Sequence, residues 1–424
     1  MSAPSPGLKR ELGLLEATMM AMGSTICAGV FTLLGPAYRI AGPAVVLSFL
    51  FAGIINSCTM FSYCELAAAM PKMGGEYVYV KEAFDGIAAF VTGWFEWSSN
   101  IFYAALMALG SAVLVSAFTQ IPSFVAAVVV AVIFAALNVK GIKESGTVES
   151  LLALILLGIL SLLVGAGLVH GVEPETFNSI MAKGWPSILV VMALIFETYV
   201  GVEAVAATQA EIKQPEKTIP RAIVVSSVAL IVLYCLIAYV TVGIVPKEIL
   251  SEFSAPLTFL AEKLMGSVGG ILLTAAGLIA ALTSLNAATI AYSRAACAMS
   301  HDRYFPECLG RIHDCFRTPH VAVMSGSIIV AALSITGSIE FIAYLVSFGF
   351  IVGFSLVNLS LIKLRWSQPH LERPYKVPLY PLTPVLGIIS SLLLLAFFQI
   401  DALIVGIAWS LLGLLVYFLR PRRK

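Results

Sequence analysis

Charge is scarce in this 424-residue chain. Lys, Arg, Asp and Glu together make up 12% of it, about half of the quarter that is usual in a soluble domain. With 59% hydrophobic residues and a mean hydropathy of +0.97, an ordinary water-soluble fold is excluded. Histidine is equally thin, at five residues, and none lies in the core of a long apolar run, His170 standing at the edge of one. An intramembrane enzyme built on an H-E-x-x-H helix or on a nucleophile and its base therefore finds no place here. His301, Cys308, His313, Cys315 and His320 fall in one loop, but their spacing matches no zinc pattern, so no metal and no cofactor is expected. The net charge of +1 gives no sign of a nucleic-acid partner, and none is expected. Neither a repeated filter segment nor a ring of like charge is present to support a channel.

What the chain does have is apolar runs. Twelve stretches are long enough to cross a bilayer, at 14–34, 42–69, 87–117, 121–138, 149–169, 186–208, 221–244, 268–292, 320–336, 341–363, 382–398 and 401–419. The basic residues test that count independently, because cytoplasmic loops collect Lys and Arg. With the N-terminus inside, 21 of the 25 fall on the cytoplasmic side and only Arg39, Lys183, Lys247 and Lys263 lie outside. Both termini are then cytoplasmic, and the protein is expected to be a multi-pass protein of the cytoplasmic membrane, with lipid as its surrounding. The opening residues 1–13 lack a small-residue cleavage site after a short apolar core, so the first span reads as retained. All seven cysteines fall within spans or cytoplasmic loops, which argues against a disulfide framework.

Two of these runs are interrupted. Residues 23–31 read Gly-Ser-Thr-Ile-Cys-Ala-Gly-Val-Phe, with Gly23 and Gly29 six apart where a spanning helix is disfavoured by glycine. Residues 196–206 read Phe-Glu-Thr-Tyr-Val-Gly-Val-Glu-Ala-Val-Ala, placing Glu197, Gly201 and Glu203 in a run that should be purely apolar. Exposed backbone at mid-membrane depth is tolerated only against protein or a cavity. Interrupted spans in both halves of a chain point to a transporter's substrate site. Glu197 and Glu203 lie about 120° apart on an intact helix, so a common cavity requires the chain to unwind near Tyr199 to Gly201. A carboxylate at that depth costs several kcal/mol and is functional by default.

Further signals run in order along the sequence. They are Ala41-Gly42-Pro43-Ala44 at the start of the second span, Tyr63-Cys64-Glu65-Leu66-Ala67 with Pro71 and Gly74-Gly75-Glu76-Tyr77-Val78-Tyr79 after it, Gly201-Val202-Glu203-Ala204-Val205, Ile219-Pro220-Arg221, and Thr318-Pro319-His320. Together with residues 23–31 they resemble the amino acid-polyamine-organocation permeases over roughly residues 12–320. The resemblance implies an all-α polytopic fold of twelve transmembrane helices. Spans 1–5 (14–169) and 6–10 (186–363) would form a 5+5 inverted repeat with broken helices 1 and 6, followed by two extra C-terminal helices (382–419) and a basic tail (420–424). It also implies alternating access around a central site.

By the same resemblance, the backbone of Gly23, Ser24, Thr25, Ile26, Cys27, Ala28 and Gly29 holds the polar end of the substrate, with Cys27 standing where many relatives have glycine. Asn100 takes the position of a side-chain-reading asparagine, with Glu96 one turn before it on the same helix face. Glu203 matches an acidic position of cationic-substrate exchangers, and Glu197 replaces a capping aromatic. Tyr199 is expected to help close the site and Gly201 to line it. Ser284 is placed against substrate, or with Thr283 around a sodium ion. Leu156 stands where several relatives carry a lysine. The expected function is a secondary transporter of an amino acid or related amine, cationic substrates favoured. Glu96, Glu197 and Glu203 would provide charge compensation or carry a coupling proton, with sodium as the other coupling ion. Two alternatives remain open: a neutral amino acid permease whose carboxylates serve only as proton carriers, and a polyamine carrier, which Cys27 favours.

Overall fold

In hydrocarbon every backbone N–H and C=O needs a partner within the protein, so apolar runs of this length must coil. The computed structural model describes residues 12–70, 75–116, 121–141, 146–207, 212–252 and 256–419. Residues 1–11 and the basic tail 420–424 lie outside the described residues. Among those described, the chain is helical throughout, apart from connections and a single isolated bridge between Leu12 and Ile212.

The helices of the first half are α1 (Leu14–Thr25), α2 (Ala28–Thr32), α3 (Leu34–Ala41), α4 (Val45–Ala69), α5 (Gly75–Ala83), α6 (Gly86–Ser116), α7 (Ser123–Lys140) and α8 (Gly146–His170). The second half holds α9 (Gly184–Ile195), α10 (Ala204–Ala207), α11 (Pro215–Ile244), α12 (Lys247–Glu252), α13 (Pro256–His301), α14 (His320–Ser334), α15 (Ile339–Ser367), α16 (Leu382–Leu394) and α17 (Ile400–Leu419). Among the described residues nine helical segments are long and apolar enough to cross a bilayer, and His320–Ser334 and Leu382–Phe397 are shorter apolar helices. The protein is therefore a polytopic all-helical membrane protein.

Gly35-Pro36 does not open a loop: both residues lie in the first turn of α3, where proline has no helical hydrogen bond to lose. The chain turns instead at Gly42, whose φ of +60° suits glycine.

Burial sorts the helices. α6 and α15 run through the middle, packed on each other, and α6 is packed on α13 as well. α7 and α17 carry Val125, Val129, Val132, Ile404, Leu411 and Leu415 on exposed faces, as helices bordered by lipid do. α1 lies against α8 and α11, and α4 against α11. The two interrupted segments are thus held within the bundle rather than at its rim.

Charges appear at the two ends of the bundle. At one end Arg39 of α3 pairs with Glu340 of α15, and Lys183 Nζ donates to the carbonyl of Arg39. At the other, Lys81 of α5 pairs with Asp302 just past α13 at 2.6 Å, with Tyr77 donating to the same oxygen. Burial works against ionisation of Asp302, but the bonds from Lys81 and Tyr77 outweigh it and hold the carboxyl below its usual range. Beside them Glu65, wholly buried near the end of α4, gathers Arg365 Nε at 2.8 Å, Arg373 Nε at 3.2 Å and the Val377 amide at 2.7 Å.

Candidate functional site

The first break in the bundle is two residues long. α1 ends at Thr25; Ile26 (φ −71°, ψ 100°) and Cys27 (φ −120°, ψ 178°) are extended; α2 begins at Ala28. Cys27 caps the new helix with its own side chain, Sγ accepting from the Gly29 N–H at 3.3 Å. The unwinding falls between the two glycines, and both are themselves helical. Their purpose is close approach: a Cβ on Gly23 would meet Ala153 of α8 at 2.7 Å, and one on Gly29 would collide with Glu197 Oε1. Breaking a helix frees carbonyls, which must find donors. Tyr234 Oη of α11 donates to the carbonyl of Thr25 at 3.2 Å.

The second break is longer. After α9 the chain makes a 3-10 turn over Phe196–Tyr199, Val200 is extended, and Gly201 takes φ +123° before α10 resumes. A Cβ on Gly201 would stand 2.5 Å from the carbonyl oxygen of Ser24 and 2.9 Å from Thr25 Cα. The two breaks therefore touch backbone to backbone, and no residue but glycine satisfies both the dihedral and the approach. Asn56 of α4 donates to the freed carbonyl of Tyr199 at 3.0 Å. Tyr199 itself is fully buried, its hydroxyl donating to the carbonyl of Phe49 at 2.7 Å and its ring against Tyr234. In this structure Tyr199 thus braces α4, α11 and the break.

At the meeting point lies a polar centre. Glu197 is wholly buried; Cys27 Sγ donates toward Glu197 Oε2 at 3.9 Å. Tyr103 Oη, from α6, faces Cys27, Glu197 and Ser284 without completing a hydrogen bond to any of them. Glu197 Oε1, Tyr103 Oη and Ser284 Oγ are all buried and lack partners among the described residues. Three such atoms in one place is unusual in a folded interior, where nearly every buried polar atom is bonded.

The remaining acids form a second group. Both oxygens of Glu203 accept from the Gly201 N–H at 3.0 Å, so this carboxylate folds back on its own turn. Its electrostatic neighbours are Glu76 of α5 and Tyr63 of α4. Tyr63 Oη donates to Glu76 Oε2 at 2.7 Å, and Glu76 in turn is an electrostatic neighbour of Glu96. Asn100 Nδ2 donates to the carbonyl of Glu96 at 2.7 Å, which turns its amide along α6. The structure thus brings Cys27, Gly29, Glu197 and Ser284 together with Tyr103, and groups Glu96 and Glu203 elsewhere with Glu76.

The sequence from residue 12 to 419 matches the family model described as "Amino acid permease". The chain belongs to that family. The permease is 28% identical to the branched-chain amino acid permease BcaP of Bacillus subtilis (strain 168) over 98% of this chain and 94% of the relative. It is 27% identical to the methylthioribose transporter of the same organism, over 99% and 95%, and 25% identical to its serine/threonine exchanger SteT over the full length of both. It is a multi-pass membrane transporter of amino acids or related amines, and not an enzyme.

A small cavity of the permease lies beside the polar centre, lined by Gly23 and Ser24 of α1, Leu156 of α8, and Thr283 and Ser284 of α13. Leu156 gives that wall an apolar side chain. Thr283 Oγ1 donates to the carbonyl of Ile279 at 2.8 Å, leaving its lone pairs available. Three residues of the permease's site framework escaped the reading of the sequence: Asn56, Tyr103 and Tyr234. Asn56 and Tyr103 carry a visible signal, a polar group inside an apolar span; Tyr234 is one more aromatic in α11.

Gly29 offers a direct test of the packing. In Gly29→Ala the methyl group falls on Glu197 Oε1 and within 3.2 Å of Cys27 Sγ. Thermal denaturation of the purified variant should show a loss of about 1–3 kcal/mol, as overpacking typically costs, together with weakened ligand binding. Full stability would mean that Glu197 moves aside freely.

Proposed function

We propose that the permease carries a cationic amine-bearing substrate by alternating access around the polar centre, with Glu197 receiving the positive group. The observation that supports this reading is the wholly buried Glu197 carboxylate with no Lys, Arg or His paired to it among the described residues. An unpaired buried charge is costly unless a ligand offsets it. Cys27 and the backbone of residues 23–29 line one side, with Tyr103 and Ser284 on the other. Glu203 and Glu96, near Glu76, serve charge compensation or pass a coupling proton. Sodium in the cavity by Thr283 and Ser284 is the less favoured ion, because Leu156 supplies no oxygen.

The wider arrangement belongs to the same proposal. We read twelve spans, with 14–169 and 186–363 as inverted repeats, spans 11 and 12 at 382–419, and both termini cytoplasmic. The alternation of basic residues supports the orientation, and the breaks at Ile26–Cys27 and 196–203 support the repeat, one in each half. A neutral amino acid substrate is the second reading, favoured by the name of the branched-chain relative. The methylthioribose transporter is named for a sugar thioether rather than an amino acid, so relatives of this chain are not confined to one substrate chemistry.

Thermal stability of the detergent-purified protein against arginine, lysine, putrescine, leucine and glutamate, each with and without sodium, tests the reading. Ligand at 100 times its Kd adds about 2.7 kcal/mol. Stabilisation by arginine, lysine or putrescine is the expected result. A response to leucine alone would make the carboxylates proton carriers, and a requirement for sodium would move the coupling ion to the cavity at Thr283 and Ser284.

A further inference from the structure

Basic residues are rare at the end of the bundle that carries Arg39 and Glu340. On the orientation given above only four of the 25 face outward, among acids that include Glu173, Glu175, Glu248, Glu252 and Glu340. Three of those four nevertheless line one cavity. It holds about 340 Å³ and is walled by Tyr38 and Arg39, by Ser179 and Lys183, and by Lys247 and Ser251, three segments far apart in the chain. Among the described residues no carboxylate lines it. Glu340 is bonded to Arg39 Nη2, and Glu248 stands beside Tyr38. Lys183 Nζ donates to the Arg39 carbonyl, which leaves further N–H groups on that ammonium. Lys247 Nζ has no hydrogen-bond or ion-pair partner among the described residues.

We propose that this cavity binds a phosphate group, carried either by a lipid headgroup or by a free phosphate compound. Topology gives no reason for the cations to gather here, because the bias of basic residues is toward the other side of the membrane. Held together without an anion they repel one another, and an anion between them removes that cost. The walls choose among anions. A planar carboxylate offers two oxygens along one edge, whereas phosphate turns oxygens toward donors on three sides, and lysine is a common partner for it. The volume is within the range of small-ligand pockets. The surroundings place the cavity at the level of the headgroups: Trp185, two residues past Lys183, is exposed beside Phe51, and Met181, two residues before it, is exposed as well. Exposed indoles collect at the membrane–water boundary. Residues 38–43 follow closely on the first interrupted span, so phosphate held here favours the arrangement in which the outer half of that span meets α12 and the loop before α9. None of this depends on the role of Glu197.

Thermal shift of the purified full-length permease tests the site, with three probes at matched ionic strength: inorganic phosphate, phosphatidylglycerol, and diacylglycerol, which has the chains without the phosphate. Phosphatidylglycerol or inorganic phosphate should raise the melting point and diacylglycerol should not. In Lys247→Gln the affinity for the stabilising probe should fall about tenfold, as loss of a hydrogen bond to a charged group predicts, and in Lys363→Gln, at the other end of α15, it should not change. Lys247→Arg keeps the charge and should keep the response. A response to phosphatidylglycerol alone assigns the site to lipid, and a response to inorganic phosphate assigns it to a free compound. The proposal is overturned if neither probe stabilises the protein, if diacylglycerol does so equally, if Lys247→Gln responds as the natural protein does, or if Lys247→Arg loses the response as fully as Lys247→Gln.

Discussion

Exchanging Glu197 for Gln should weaken binding of a cationic amine by about 2–5 kcal/mol, the usual cost of removing one partner of a buried charge pair, without loss of folded protein. Glutamine keeps the shape and the acceptor that faces Cys27 Sγ at 3.9 Å, and it removes a charge that has no basic partner among the described residues. The ligand-free variant should therefore melt no lower than the natural protein. Glu203→Gln supplies the contrast. Both oxygens of Glu203 are committed to the Gly201 amide, so its neutralisation should disturb coupling more than affinity. Ligand titrations followed by thermal shift separate the two variants. Equal affinity losses would place Glu203 in the substrate's contact set, and no loss in Glu197→Gln would remove Glu197 from it.

Glu65→Gln should lower the stability of the whole permease by about 3–5 kcal/mol, the range for breaking a buried ion pair from one side. Glu65 is completely buried and accepts from Arg365, Arg373 and the Val377 amide, tying the end of α4 to the end of α15 and to the segment leading into α16. Without its charge two guanidinium groups face a neutral amide. Arg365 also stacks on Tyr380 and Arg373 donates to the carbonyls of Leu364 and Leu371, so the arginines cannot turn away to water without giving up those contacts. Melting of the purified variant without ligand is the measurement. A melting point equal to that of the natural protein would show that the cluster contributes no net stability.

Much of this was legible in the residues. Polytopic architecture follows from hydropathy because the bilayer leaves helices as the only economical solution for such runs. Both breaks were visible, since glycine and carboxylates inside a span oppose an unbroken helix. The mechanism at Gly23 and Gly29 was not: glycine is compatible with unwinding and with close packing, and only the neighbours Ala153 and Glu197 show that packing is its purpose. The choice between Asn100 and Tyr103 was equally closed to the sequence. The two lie three residues apart on α6, and which one reaches Cys27 and Glu197 depends on how α6 is rotated against α13 and α15.

By itself, then, the sequence determined that this chain is a membrane-embedded helical protein with two interrupted spans and acids at depth, because composition and local pattern act through the solvent and need no partner. Only the tertiary structure decided which acids share a space. Glu197 and Glu203 are six residues apart in the chain, yet one faces Cys27 and Tyr103 while the other folds onto Gly201 near Glu76. The turn at φ +123° between them sets their directions. That turn is held in place by the backbone of Ser24 and Thr25 and by the side chain of Asn56, contacts between segments more than 140 residues apart in the chain that no local pattern encodes.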